Sequence, residues 1–230
     1  MNVQRISAIF EKDIKDFMKN MMLLTMPLTP VILALIYDQM GIEEFPLTLL
    51  YLIVGVTFSA VTSTCMMMMI AEENEKKTLR GLILSPASFI DIIIGKSLVT
   101  GLITLAALVV SLMILGIDPF LNTRAIIGLI LQFLFFLLLG IGIGLFSKSI
   151  ASTYVYMMPV MFLFGFTPMI GQLGFSEDSI VMTIFDTFPV MQAIEAHENS
   201  SWLPLGIITI WVAAAALFMF ICFKKTMTDD

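Results

Sequence analysis

Glu72, Glu73 and Glu75 are followed by Lys76, Lys77 and Arg80 in the run EENEKKTLRG, residues 72 to 81, the most charged stretch of its length in the chain. Acids toward the start and bases toward the end of a short helix favour its dipole and permit three- and four-residue ion pairs. Leu79, Leu82 and Ile83 give the same helix an apolar edge, and Pro86 stops it. Bases alone would satisfy membrane topology. Charge of both signs beside an apolar edge, held at a membrane surface, is the chemistry of docking a soluble partner. Glu73, Leu79, Arg80 and Leu82 combine charge with that edge and are expected to carry the docking.

Other chemistries find little support. The single histidine, His197, sits in EAHENS beside Glu195 and Glu198 and reads as a solvated loop residue. Cys65 and Cys222 fall in or at the end of apolar segments and read as small packing residues. No metal site is expected from this inventory. A Walker sequence or strand–glycine loop–helix unit to cradle phosphates is missing from the sequence. No basic stripe offers itself to a nucleic acid.

The elements that position the charged run are membrane segments. Of 230 residues, 59% are hydrophobic and only 13% charged, against roughly a quarter charged in soluble domains. About 20 apolar residues cross a bilayer core. That rule places spans near 20–37, 47–71, 88–116, 124–147, 152–171 and 202–223, in a single all-helical domain over 1–230. Residues 179–194 are too short to span, carry Asp186 centrally and break at Pro189. They are expected to form short re-entrant or interfacial helices in a loop over 172–200. With six spans the lysines and arginines, Arg124 excepted, gather on one side, so both termini are expected in the cytoplasm. Residues 1–19 carry no clean signal-peptide core. Val3, Ile6, Phe10, Ile14, Phe17 and Met21 form an apolar stripe with Lys12, Lys15 and Lys19 opposite, an amphipathic helix suited to anionic headgroups.

Glu73, Glu75, Thr78-Leu79, Leu82, Leu84, Pro86 and then Gly95-Lys96 resemble the signature of ABC-2 type transporter permeases. The likeness covers the whole chain: an elbow helix at 1–19, six spans, and a broken segment before the sixth. Two positions depart from it, Lys77 where the family usually has Gly and Arg80 where an acid is common. The resemblance implies that 72–86 is a coupling helix, with Glu73, Glu75, Lys76, Thr78, Leu79, Arg80, Leu82 and Leu84 docking an ATP-binding subunit. ATP and Mg would be bound by that partner, and no cofactor by this chain, which would itself be non-catalytic. It further implies two ATP-binding subunits, a second permease copy or a related permease, and a bacterial cytoplasmic membrane. Export would run between the permeases along parts of the second and fifth spans. In small size and oily spans the chain resembles permeases that export amphipathic or membrane-active peptides, phenol-soluble modulin toxins among them. That resemblance implies hydrophobic or amphipathic cargo, with antimicrobial peptides or lipid drugs as alternatives. No substrate-binding residue follows from the sequence.

Two rival readings are weaker. EENEKK is similar to the Glu-Glu-x-x-x-Arg motif of CAAX-type intramembrane proteases, but Lys77 replaces the Arg and no histidine lies in a span. A channel or secondary transporter would want a mid-span acid, base or histidine. Among remaining features, Gly140 and Gly144 in GIGIG have the spacing of close helix packing. The methionines of 65–69 and 157–161 read mainly as packing, with a flexible cargo wall as the alternative. Lys96, with Asp91 nearby, is expected to snorkel to the headgroups as an interfacial anchor.

Overall fold

The computed structural model describes residues 2–42, 44–78, 89–170, 179–199 and 201–228. Every regular element among them is helical. Helix α1 (Val3–Lys19) begins at Asn2, whose side chain accepts from the Gln4 N–H at 3.0 Å. Asn20 closes α1 and opens α2 (Met21–Asp38), its side chain accepting from the N–H groups of Met22 and Leu23. One asparagine therefore turns the chain from the amphipathic helix into the first apolar one. Helix α2 is interrupted at Met26 and Pro27, where proline has no N–H to continue the ladder.

Four more helices follow with the length and apolarity to cross a membrane, as α2 has: α3 (Leu47–Glu75), α4 (Phe89–Leu115), α5 (Thr123–Phe146) and α9 (Leu203–Thr228). The expected fifth span is shorter than that. Helix α6 (Ile150–Gly165) rises about 24 Å, less than a core of about 30 Å, and bends at Phe166 before a last turn at Thr167–Ile170. The broken segment forms α7 (Ile180–Asp186) and α8 (Pro189–Glu198), with proline opening α8 as expected.

The architecture is a bundle wound around α3. The apolar window of α3 is wholly buried, whereas α2 and α9 bury about a fifth of theirs. Such an axis needs small residues, because backbones must come close. On the GIGIG segment of α5, a Cβ at Gly144 would lie 2.9 Å from the Met67 carbonyl oxygen, and one at Gly140 2.6 Å from that of Ser63. Gly142, on the opposite side, meets Phe218 of α9. Where α6 crosses α3, a Cβ on Gly55 would stand 2.4 Å from the Gly165 carbonyl oxygen. Both helices loosen to five-residue hydrogen bonding there, at Thr57–Ser63 and Met161–Gly165. Hydroxyls take up backbone carbonyls around the α3 loosening, Thr57 to Ile53 at 2.7 Å and Thr64 to Ser59 at 3.0 Å. Cys65 and Met66 to Met69 are all buried in this axis, so that methionine block is packing.

Within the chain, α2, α4, α5 and α6 enclose α3. Outward apolar faces belong instead to helices such as α6, through Val155, Met158, Phe162 and Leu163.

Gly144→Ala should destabilise the bundle by about 1–3 kcal/mol, since backbone rather than a flexible side chain stands in the way of the new methyl. Gly206→Ala, with nothing within 4 Å of its Cβ position, should be neutral or slightly stabilising. Thermal unfolding of the two variants in detergent measures the contrast.

Candidate functional site

The first half of the charged run continues a membrane helix. Residues 72–75 are the last turn of α3, Lys76 and Lys77 make a turn, and Thr78 follows. The expected separate helix over 72–86 therefore does not begin at Glu72, because α3 carries its ladder through Glu75. Lys77 adopts φ +56°, the left-handed conformation that ends a helix at low cost only for glycine or asparagine. Leu79, Arg80, Leu82, Leu84 and Pro86 lie outside the described residues, and so does the rest of the expected coupling helix.

Each residue of the α3 end ties a different neighbour. Lys76 pairs with Glu72, one turn back. The Asn74 amide donates to the carbonyls of Gly144, Leu145 and Ser147, closing the C-terminus of α5. Glu75 accepts from the Ile150 N–H at 2.8 Å, at the start of α6. Thr78 donates to the Glu73 carbonyl.

Glu73 is the deepest of these, 5% exposed. Its Oε1 accepts from Lys12 Nζ of α1 and from Lys96 Nζ of α4, both at 2.9 Å. Lys96 also donates to Asp13 of α1 at 3.0 Å. Lys96 is 1% exposed, so it is a buried ion within the protein and does not snorkel to headgroups as an interfacial anchor. The reason is local: Gly95 lets α1 lie against α4, with Ile9 where a Cβ would stand, and Lys96 is roofed over. Asp91, expected beside Lys96, accepts instead from the Asn2 N–H at 3.1 Å and holds the start of α1. Burial raises the Asp13 carboxyl above its ordinary range, against the pull of the Lys96 ammonium. Burial also presses on the Lys12 ammonium, but its hydrogen bond to Glu73 and the surrounding carboxylates outweigh that and hold it above its usual value.

The other end of the bundle carries aromatic fixings. The Tyr51 hydroxyl is 3.3 Å from His197 Nδ1, and both rings lie within 6.2 Å of Phe120. His197 is thus packed against rings and not a solvated loop residue, and burial holds its pKa below the ordinary histidine value. Arg124 donates to the Asn199 carbonyl and lies over Trp202. Trp211 Nε1 donates to the Thr187 carbonyl at 2.7 Å, pinning the α7–α8 break to α9. Tyr51 and Glu73 are 22 positions apart on α3, about 33 Å along the helix. His197 therefore cannot share a site with Glu72 and Glu73, as the protease reading would require.

Among the described residues no group of three or more His, Cys, Asp or Glu is placed to hold a metal ion. Deeper in the spans lie hydroxyls such as the Thr62–Thr104 pair at 2.9 Å and a buried Gln132 with no side-chain partner among the described residues.

Apolar helices of crossing length and a buried charge cluster at their lysine-rich end define a multi-pass membrane protein. Residues 3–223 match the family described as ABC-2 family transporter protein, and the chain belongs to that family. It is thus a membrane permease component of an ABC-type transporter, a class that works with an ATP-binding partner. No curated protein matches the chain.

Asp13 and Glu73 were reachable from sequence in different degrees. Asp13 falls in step with Ile6, Ile9 and Phe17, all buried on α1, so a charge inside an apolar stripe was the available signal. Nothing local revealed its partner, 83 positions away.

Lys96→Met should cost about 3–5 kcal/mol, because two buried carboxylates lose their buried cation and keep only the half-exposed Lys12. Adding Asp13→Asn and Glu73→Gln should recover most of that loss, since removing a whole buried ion set is often neutral. Unfolding midpoints of the single and triple variants in one detergent test both statements.

Proposed function

We propose that the chain is one permease of an ATP-driven exporter, with six membrane passages and both termini in the cytoplasm. The observation that carries this is the family match over residues 3–223. Supporting it, the basic side chains of α1, the α3 end, Lys148, Lys224 and Lys225 belong to one end of the bundle, as cytoplasmic ends require. Counting α6 as a passage requires a locally thinned bilayer or help from the turn at Thr167–Ile170.

The docking segment is residues 76–86, entered through the left-handed turn at Lys77, with Leu79, Arg80, Leu82 and Leu84 meeting the ATP-binding subunit. Glu73 and Glu75 support that segment from behind, as their bonds to α1, α4 and α6 fit positioning more than contact. Two permeases, identical or related, and two ATP-binding subunits make the working unit in a bacterial cytoplasmic membrane. ATP and Mg are handled by the partner. Outward apolar faces and a lysine-rich amphipathic helix suit hydrophobic or amphipathic cargo, with membrane-active peptides of the phenol-soluble modulin kind the leading class and antibiotics next.

Purification of the tagged chain from its native membranes in mild detergent should bring down an ATPase, and Leu79→Asp should abolish its recovery without loss of the chain itself. Recovery of the intact chain alone, with no ATP hydrolysis, overturns the proposal.

A further inference from the structure

A cavity of about 210 Å³ lies between α1 and the end of α3, lined in part by Lys12, Asp13, Asp16, Glu72, Glu73 and Lys76, with Lys96 at its base. Four carboxylates face three ammonium groups there, leaving one net negative charge. The ammonium groups are all committed, Lys96 to Asp13 and Glu73, Lys12 to Glu73 and Asp13, and Lys76 to Glu72. One acceptor is not. Glu73 Oε2 is buried and has no hydrogen-bond partner among the described residues. A buried carboxylate oxygen without a donor is costly, so the site has room for one more donor.

What completes it must donate hydrogen bonds and carry positive charge. A metal ion does not fit, because no set of three ligands is assembled among the described residues. A guanidinium fits well, as it presents parallel donors to carboxylates and is the more weakly hydrated of the basic groups. We propose that this pocket receives a basic side chain, preferably an arginine, from the ATP-binding subunit. The assignment rests on the permease reading above and adds a second contact to it. Thr78, which also lines the pocket, is the residue from which the chain continues into the proposed docking segment. The half-exposed Asp16 and the partly exposed Glu72 form the mouth, and Glu73 the floor. An arriving cation on Glu73 would compete with Lys12 and Lys96 for that carboxylate and so act on α1 and α4 together.

The test uses the full chain in nanodiscs and the ATPase recovered with it from native membranes. Asp16→Asn combined with Glu72→Gln removes the two carboxylates of the mouth, frees Lys76 from Glu72 and leaves the Lys96 pairs intact. It should slow association about tenfold and flatten its salt dependence between about 0.1 and 1 M. A photo-crosslinker placed at Asp16 should label a partner peptide containing arginine or lysine. Association unchanged in the double variant, or label found only on lipid headgroups, overturns the pocket assignment. Failure of the wild-type chain to bind any ATPase would instead overturn the permease reading itself, so the two failures are distinguishable.

Discussion

A lysine buried as completely as Lys96 is tolerable only while its carboxylates stay in place. An unpaired ammonium in that setting costs several kcal/mol, and the attraction that offsets this cost depends on close geometry. Asp13 and Glu73 supply it from two different helices, so α1, α3 and α4 are held in one arrangement at the lysine-rich end. The amphipathic helix is thereby made part of the bundle and not merely laid on the lipid. Asp91 reinforces this by holding the first turn of α1 from α4.

The same end of α3 also gathers the remaining helices. Asn74 closes α5, and Glu75 caps α6. Residues 72–75 thus work as a knot just before the left-handed turn at Lys77. A push on the segment beyond that turn would be felt by α1, α4, α5 and α6 at once. Further along, α3 stays buried because glycine and serine let neighbours approach its backbone, while hydroxyls satisfy the carbonyls that the two loosened segments release. Rigidity at the charged end and irregular hydrogen bonding midway are both properties of this one helix.

Much of the span arrangement was legible, because hydrophobic length is a local signal. The amphipathic helix α1, the α3–α5 and α9 spans and the break at Pro189 follow from a stripe, apolar runs and a proline. The role of the charged run was only half legible. Its acids and bases were visible, but whether Glu73 faces out or in depends on Lys12 and Lys96, which are distant in sequence. Lys96 looked like an anchor because it starts a span; only the crossing of α1 over Gly95 makes it a buried ion. His197 was misread for the same reason, since Tyr51 and Phe120, which enclose it, come from other segments.

Coupling between this chain and an ATPase is what the arrangement of α1, α3 and α4 must serve. The most direct measurement compares ATP turnover by the recovered ATPase alone with turnover in its complex with the chain in nanodiscs. The account predicts that the complex turns over ATP at a different rate. It also predicts that the Asp13→Asn, Glu73→Gln, Lys96→Met triple variant, though folded, loses that difference. Equal turnover with and without the chain would contradict it.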